Sequence, residues 1–176
     1  MTDPEIAAIV FREVIGREGS PEERARAIGC YLKHLPGAVA ESSGYRLMPG
    51  IEELLDRLID GGTLLGLVTG NIEAAAHIKL ARARLNRFFS FGGYGSDSPD
   101  RTEVTKAALG RGGLVSGGVL ADGNCLAVGD TPRDVVAGHG ADIEVVGVAT
   151  GSYDVAQLRA AGADYALETV RSGFPL

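Results

Sequence analysis

"CLAVGDTPRDVVAG", residues 125 to 138, decides the fold. Cys125, Leu126, Ala127 and Val128 form a continuous apolar run closed by Gly129. That pattern suits a strand buried on both faces, although periodicity alone leaves a helical segment open. The flanks decide for strand. Thr131 followed by Pro132 is a helix start, a hydroxyl cap with proline at the first helical position. Asp130 then stands at the carboxyl end of the strand and Asp134 in the first turn of the next helix, so both carboxylates can face one crevice. In open parallel α/β sheets that crevice, outside the carboxyl ends of the strands, is where ligands bind. A carboxylate in a first turn also stabilises the helix dipole with no ligand involved, and for Asp134 this reading stands beside the first. Asp130 precedes the cap and is harder to explain that way.

Helix and strand alternate on both sides of this stretch. Upstream, Ile51, Leu54, Leu55 and Leu58 make a helical stripe ending at Gly61-Gly62, and "TLLGLV", 63 to 68, reads as a buried strand ending in Thr69-Gly70-Asn71. A helix over about 72 to 86, a short strand within "FFSFGGYG", 88 to 95, and a helix from "TEVTKAALG" follow. "GRGGLVSGGVLADGN", 110 to 124, reads as a glycine-rich surface loop. Downstream, "IEVVGVAT", 143 to 150, is a further strand, "SYDVAQLRAAG" a last helix and "DYALE" an edge strand. This order implies a mostly parallel sheet with helices on both faces.

The first 43 residues differ, for they carry helical spacing and no strand. Asp3-Pro4 starts one helix, which runs to Gly16. Ser20-Pro21-Glu22-Glu23 is a capping box opening a second, whose apolar face (Ile28, Leu32, Leu35) ends at Pro36-Gly37. "ESSGY", 41 to 45, reads as the linker, giving a small helical unit over 1–43 and an α/β core over 44–176.

The 176 residues, 45% hydrophobic and 23% charged, are enough for one sizeable core with a small appendage. The 26 glycines suit many tight strand-to-helix turns. A net charge of −6 without any basic block argues against nucleic acid or an anionic membrane as partner. Cys30 and Cys125 show no metal or disulfide spacing and read as reduced core residues. The amino terminus is acidic where a signal peptide would be basic, and no apolar run is long enough for a membrane span, which places the protein in the cytoplasm.

Polar groups gather at the carboxyl ends of the strands. Thr69, Gly70 and Asn71 offer a hydroxyl and backbone N–H groups at the positive end of a helix, an arrangement suited to phosphate, and Asn71 also serves as a helix cap. Arg101 opens the helix after the next strand, and either it or Lys106 could neutralise an anion. Two carboxylates with no histidine or cysteine beside them suit Mg²⁺, a hard ion that keeps water and binds substrate phosphate, better than zinc. His34, His77 and His139 are scattered and read as structural or exposed.

Strand-Thr-Gly-Asn, a basic residue after the next strand, and strand-Gly-Asp-Thr-Pro-x-Asp in that order resemble the haloacid dehalogenase (HAD) superfamily. Within it, the phosphoglycolate-phosphatase-like hydrolases with a helical cap are nearest. "MPGIEELLDRLIDGGTLLGLVTGN" and "AVGDTPRDVVAGHGADIEVVGVATG" carry the likeness, and "AGADYALETV" looks like the family's usual ending. The resemblance implies a HAD-like Rossmannoid three-layer α/β fold and a Mg²⁺-dependent hydrolase of small phosphorylated metabolites. It gives Thr69 the phosphate-binding hydroxyl, with Gly70 and Asn71 beside it, and puts Arg101 where the family usually has lysine. Asp130 and Asp134 become the acidic Mg²⁺ motif, and residues 1–43 most of the cap.

One departure accompanies the likeness. Family members begin with a strand ending in D-x-D-x-[TV], whose first Asp attacks phosphorus, and this sequence contains no such motif. The resemblance therefore implies a chain that starts inside the cap and is inactive by itself, or alternatively a non-catalytic binding or regulatory module. It also implies a vacant place between the strands ending in Thr69 and Asp130. Three outcomes are expected there: direct pairing of the two strands, a second copy of the chain covering the place as a homodimer, or poor solubility.

Overall fold

The computed structural model describes residues 1–118, 120, 125–171 and 173–175. It is an α/β structure with parallel strands. Helices α1 (Asp3–Val10) and α2 (Pro21–Glu41) come first, joined through a π turn over Phe11–Ile15. Then follow α3 (Ile51–Asp60), β1 (Gly66–Val68), α4 (Glu73–Ala81), β2 (Phe91–Gly93), α5 (Arg101–Ser116), β3 (Leu126–Gly129), α6 (Pro132–Gly140), β4 (Glu144–Val148), α7 (Val155–Ala160) and β5 (Tyr165–Leu167). Strand β1 pairs with β2, and β3–β4–β5 form a second sheet in that order, every pairing being parallel.

Side chains alternate across β4 as a period of two requires. Val146 and Val148 pack against Leu54 and Leu58 of α3, while Val145 meets Gly138 of α6 and Gly147 lies against Leu158 of α7. Helices thus cover both faces of the second sheet. Helix α3 also serves the first sheet, since Ile51 and Leu55 pack with Leu65, Leu85 and Phe88. On the opposite side, α5 covers β2 through Val104 and Ala108 at Gly93, and Thr102 of α5 lies against Gly140 of α6.

Among the described residues β1 and β3 do not pair, so of the three expected outcomes direct pairing of these strands is not what the structure contains. The expectation that both strands are buried on both faces is corrected as well, for among the described residues β3 has a paired neighbour only on its β4 edge and β1 only on its β2 edge, which leaves side chains at the other margin open. Leu126 and Val128 of β3 are 39% and 53% exposed, and Gly66 of β1 is exposed.

Other boundaries move too. The β1 strand starts at Gly66 rather than 63, and Thr63 and Leu64 are exposed chain. Helix α4 stops at Ala81, and the rest of the expected helix is a turn and a 3₁₀ segment over Leu85–Phe88. Helix α2 does not end at Pro36-Gly37 but continues to Glu41. Val39, beyond the proline, packs with Leu35, Ile72, Ala75 and Ile78, and this burial offsets the hydrogen bond that proline removes. Helix α5 runs to Ser116, through half of the expected glycine-rich loop, because Gly112 lets Phe91 approach and Arg111 is anchored on Asp97 and the Gly92 carbonyl. Residues 119 and 121–124 of that loop lie outside the described residues. Cys30 is exposed on α2 rather than in the core, and Cys125 is half-buried. No helix among the described residues is long and apolar enough to cross a membrane.

Candidate functional site

Thr131 caps α6 with Pro132 at its start, as read from the sequence, and the cap is reciprocal. The Asp134 N–H donates to Thr131 Oγ1 (3.3 Å), while Asp134 Oδ2 accepts from the Thr131 N–H (3.1 Å) and hydroxyl (2.8 Å). Asp134 Oδ1 accepts from Arg101 Nη2 at 2.7 Å. Both oxygens of Asp134 are therefore committed, one to its helix and one to a cation. The first-turn role that the sequence left open is real.

Asp130 is placed differently. It follows β3 and lies against Gly151 in the turn after β4, where a Cβ would collide with its carboxylate. Among the described residues it makes no hydrogen bond or ion pair.

Thr69, Gly70 and Asn71 form the turn between β1 and α4. The Thr69 N–H donates to Gly93 O of β2 (3.1 Å), which aligns the turn with the sheet, and the Asn71 N–H donates to Thr69 Oγ1 (3.1 Å). That leaves the Thr69 hydroxyl proton for another acceptor. Gly70 is buried, and a side chain there would come within 2.6 Å of the Met1 carbonyl and 3.5 Å of Arg101 Nη1. Arg101 thus stands between the Gly70 turn and Asp134. Lys106, the other cation considered, lies farther along α5 and pairs with Glu103 at 3.2 Å on an exposed face. The structure brings Arg101 to the turn, not Lys106.

Sequence reasoning missed Asp3. The Ile72 N–H donates to Asp3 Oδ2 (2.9 Å), Asn71 Nδ2 donates to Asp3 Oδ1 (3.1 Å), and the Asp3 N–H donates to Gly70 O (2.9 Å). Lys79 Nζ holds the other side of the Asn71 amide at 3.0 Å. The N–H groups at this helix start are thus not all open, as the sequence reading had them. The signal was present: Thr2-x-x-Glu5 is a capping box, and Thr2 caps α1, which releases the Asp3 carboxylate to reach across.

The model of the family described as haloacid dehalogenase-like hydrolase matches residues 9–148. This chain belongs to that family. No curated protein matches it. Solved structures share the fold of this HAD-like chain at low identity. A predicted phosphatase from Clostridium acetobutylicum is 22% identical with a TM-score of 0.68, covering 93% of this chain and 73% of its own. A predicted phosphoglycolate phosphatase from Haemophilus somnus is 22% identical with a TM-score of 0.64, covering 94% and 72%. A β-phosphoglucomutase from Clostridium difficile is 18% identical with a TM-score of 0.68, covering 96% and 71%.

The donor set of Asp130 and Asp134 fits a hard divalent cation in kind, since both side chains offer carboxylate oxygens. It is sparse in number, for no group of three metal-binding side chains occurs among the described residues. Asp130 has open oxygens, whereas Asp134 would have to exchange Arg101 for the ion.

Proposed function

We propose that this HAD-family chain carries the phosphate- and cation-binding platform of a phosphatase acting on a small phosphate monoester. The observation that supports this most is Arg101, whose guanidinium reaches both the Gly70 turn and Asp134. The Thr69 hydroxyl and the N–H of Gly70 would donate to phosphate oxygens, Asn71 would fix the turn, and Arg101 would neutralise charge on the transferring group. Asp130, joined by Asp134, would hold Mg²⁺, which when bound supplies charge stabilisation at the phosphoryl oxygens. The attacking carboxylate is not in this sequence. It would come from a strand ending in D-x-D and seated between β1 and β3, and without that strand the chain would not turn over substrate.

A second reading, a non-catalytic binding or regulatory module, draws support from the Arg101–Asp134 pair, which neutralises both groups without a ligand. Calorimetry with MgCl₂ separates the two. The catalytic-platform reading expects weak Mg²⁺ binding that strengthens with inorganic phosphate and disappears in Asp130→Ala. Mg²⁺ binding indifferent to phosphate and to Asp130→Ala would leave the second reading standing.

A further inference from the structure

Three hydrogen bonds join the first residues of α1 to a turn some seventy positions downstream, all through Asp3. We propose that Asp3 is a positioning residue for the anion-binding turn, an inference that rests on the function proposed above. Its main chain holds the Gly70 carbonyl at 2.9 Å, its Oδ1 holds the Asn71 amide at 3.1 Å and its Oδ2 holds the Ile72 N–H at 2.9 Å. Three successive residues of the turn are thereby fixed by one side chain and its own N–H.

The consequence concerns the Thr69 hydroxyl. The Gly70 carbonyl and the Asn71 N–H belong to one peptide plane and the Ile72 N–H to the next, so the bonds to Asp3 hold both planes that flank Asn71. The Asn71 N–H is thereby aimed at Thr69 Oγ1 (3.1 Å), which leaves the Thr69 hydroxyl proton for an anion, with Arg101 Nη1 close to the same turn. Asp3 itself is only half-buried, but its anchor is firm: Thr2 beside it is 2% exposed and lies against Gly95, which donates its own N–H to Asn71 O at 2.8 Å. Ile72 is itself the N-cap position of α4, and no side chain caps that helix, so the Ile72 contact is not an ordinary helix cap. Asp3 also takes the Asn71 amide and the Gly70 carbonyl, groups that do nothing for α4 but shape the turn.

The test is binding of inorganic phosphate, followed by NMR of the backbone amides, in the wild type, Asp3→Ala, Asp3→Asn and Asp154→Ala. Asp154 caps α7 through the Gln157 N–H at 2.8 Å and serves as an aspartate at a helix start away from the turn. Asp3→Ala is expected to weaken phosphate binding about tenfold, as loss of a preorganised turn would. Asp3→Asn keeps an acceptor for the Ile72 N–H but sets an amide against the Asn71 amide, and is expected to fall between. Asp154→Ala, though less stable, should bind phosphate as the wild type does. Equal phosphate affinity in Asp3→Ala and the wild type would overturn the positioning role alone. A wild type that binds no phosphate would overturn it together with the anion-binding turn. If Asp3→Ala fails to fold, Asp3→Asn decides on the same criterion.

Discussion

Arg101 Nη2 lies 2.7 Å from Asp134 Oδ1, so the first turn of α5 is tied to the first turn of α6 across the place where the two sheets part. Its partner carboxylate is only 13% exposed, and the other oxygen is held by Thr131. Replacing Arg101 by Gln should leave that half-enclosed oxygen without a cation and cost about 1–3 kcal/mol. Urea unfolding checks this, and an unchanged midpoint would show that the pair contributes nothing.

Asp97 accepts two charge-assisted bonds from Arg111, at 2.7 Å each, and the N–H of Tyr94 at 2.8 Å. The Arg111 bonds, more than the Tyr94 N–H, hold its carboxyl below the ordinary value of 3.8. A depressed carboxyl stabilises the fold above the unfolded value, and this is lost as pH falls through the folded one. The stability gap between the wild type and Asp97→Asn should thus be constant near neutrality and close below about pH 4. A gap unchanged down to pH 3 in urea titrations would contradict the assignment.

Pro36 is exposed within α2 and removes a hydrogen bond to the preceding turn. Pro36→Ala should stabilise the protein by up to about 3 kcal/mol, since the backbone is already helical and alanine restores the N–H. Thermal unfolding decides, and a lower melting temperature would mean that the proline relieves strain elsewhere.

The exposed pair Leu126 and Val128 sits on a strand whose inner edge lacks a neighbour among the described residues. Open strand edges with apolar side chains recruit other chains. Light scattering is expected to show association that grows with concentration and falls in Val128→Lys. A monomer at every concentration in both proteins would show that the edge is inert.

How much of this was legible in the sequence depended on how local each signal was. The Thr131-Pro132 cap, Asp130 at a strand end and Asp134 in a first turn follow from neighbours within a few residues. Exposure of Leu126 and Val128 did not, because an apolar run reports what a strand was suited to pack against, not whether the neighbour is there. The length of α2 and α5 was hidden for a related reason. Pro36 and the glycines of α5 are local breakers overridden by packing of Val39 and Phe91 from elsewhere in the chain. Asp3 was legible as a helix start but not as a partner of Asn71 and Ile72, a pairing that exists only once the chain is folded.

The most direct measurement is hydrolysis of p-nitrophenyl phosphate with MgCl₂ by this chain alone and by a form extended with an apolar strand ending in D-x-D. The account predicts no turnover by the chain alone and Mg²⁺-dependent turnover by the extended form that is lost in Asp130→Asn. Turnover by the chain alone that survives Asp130→Asn would contradict it.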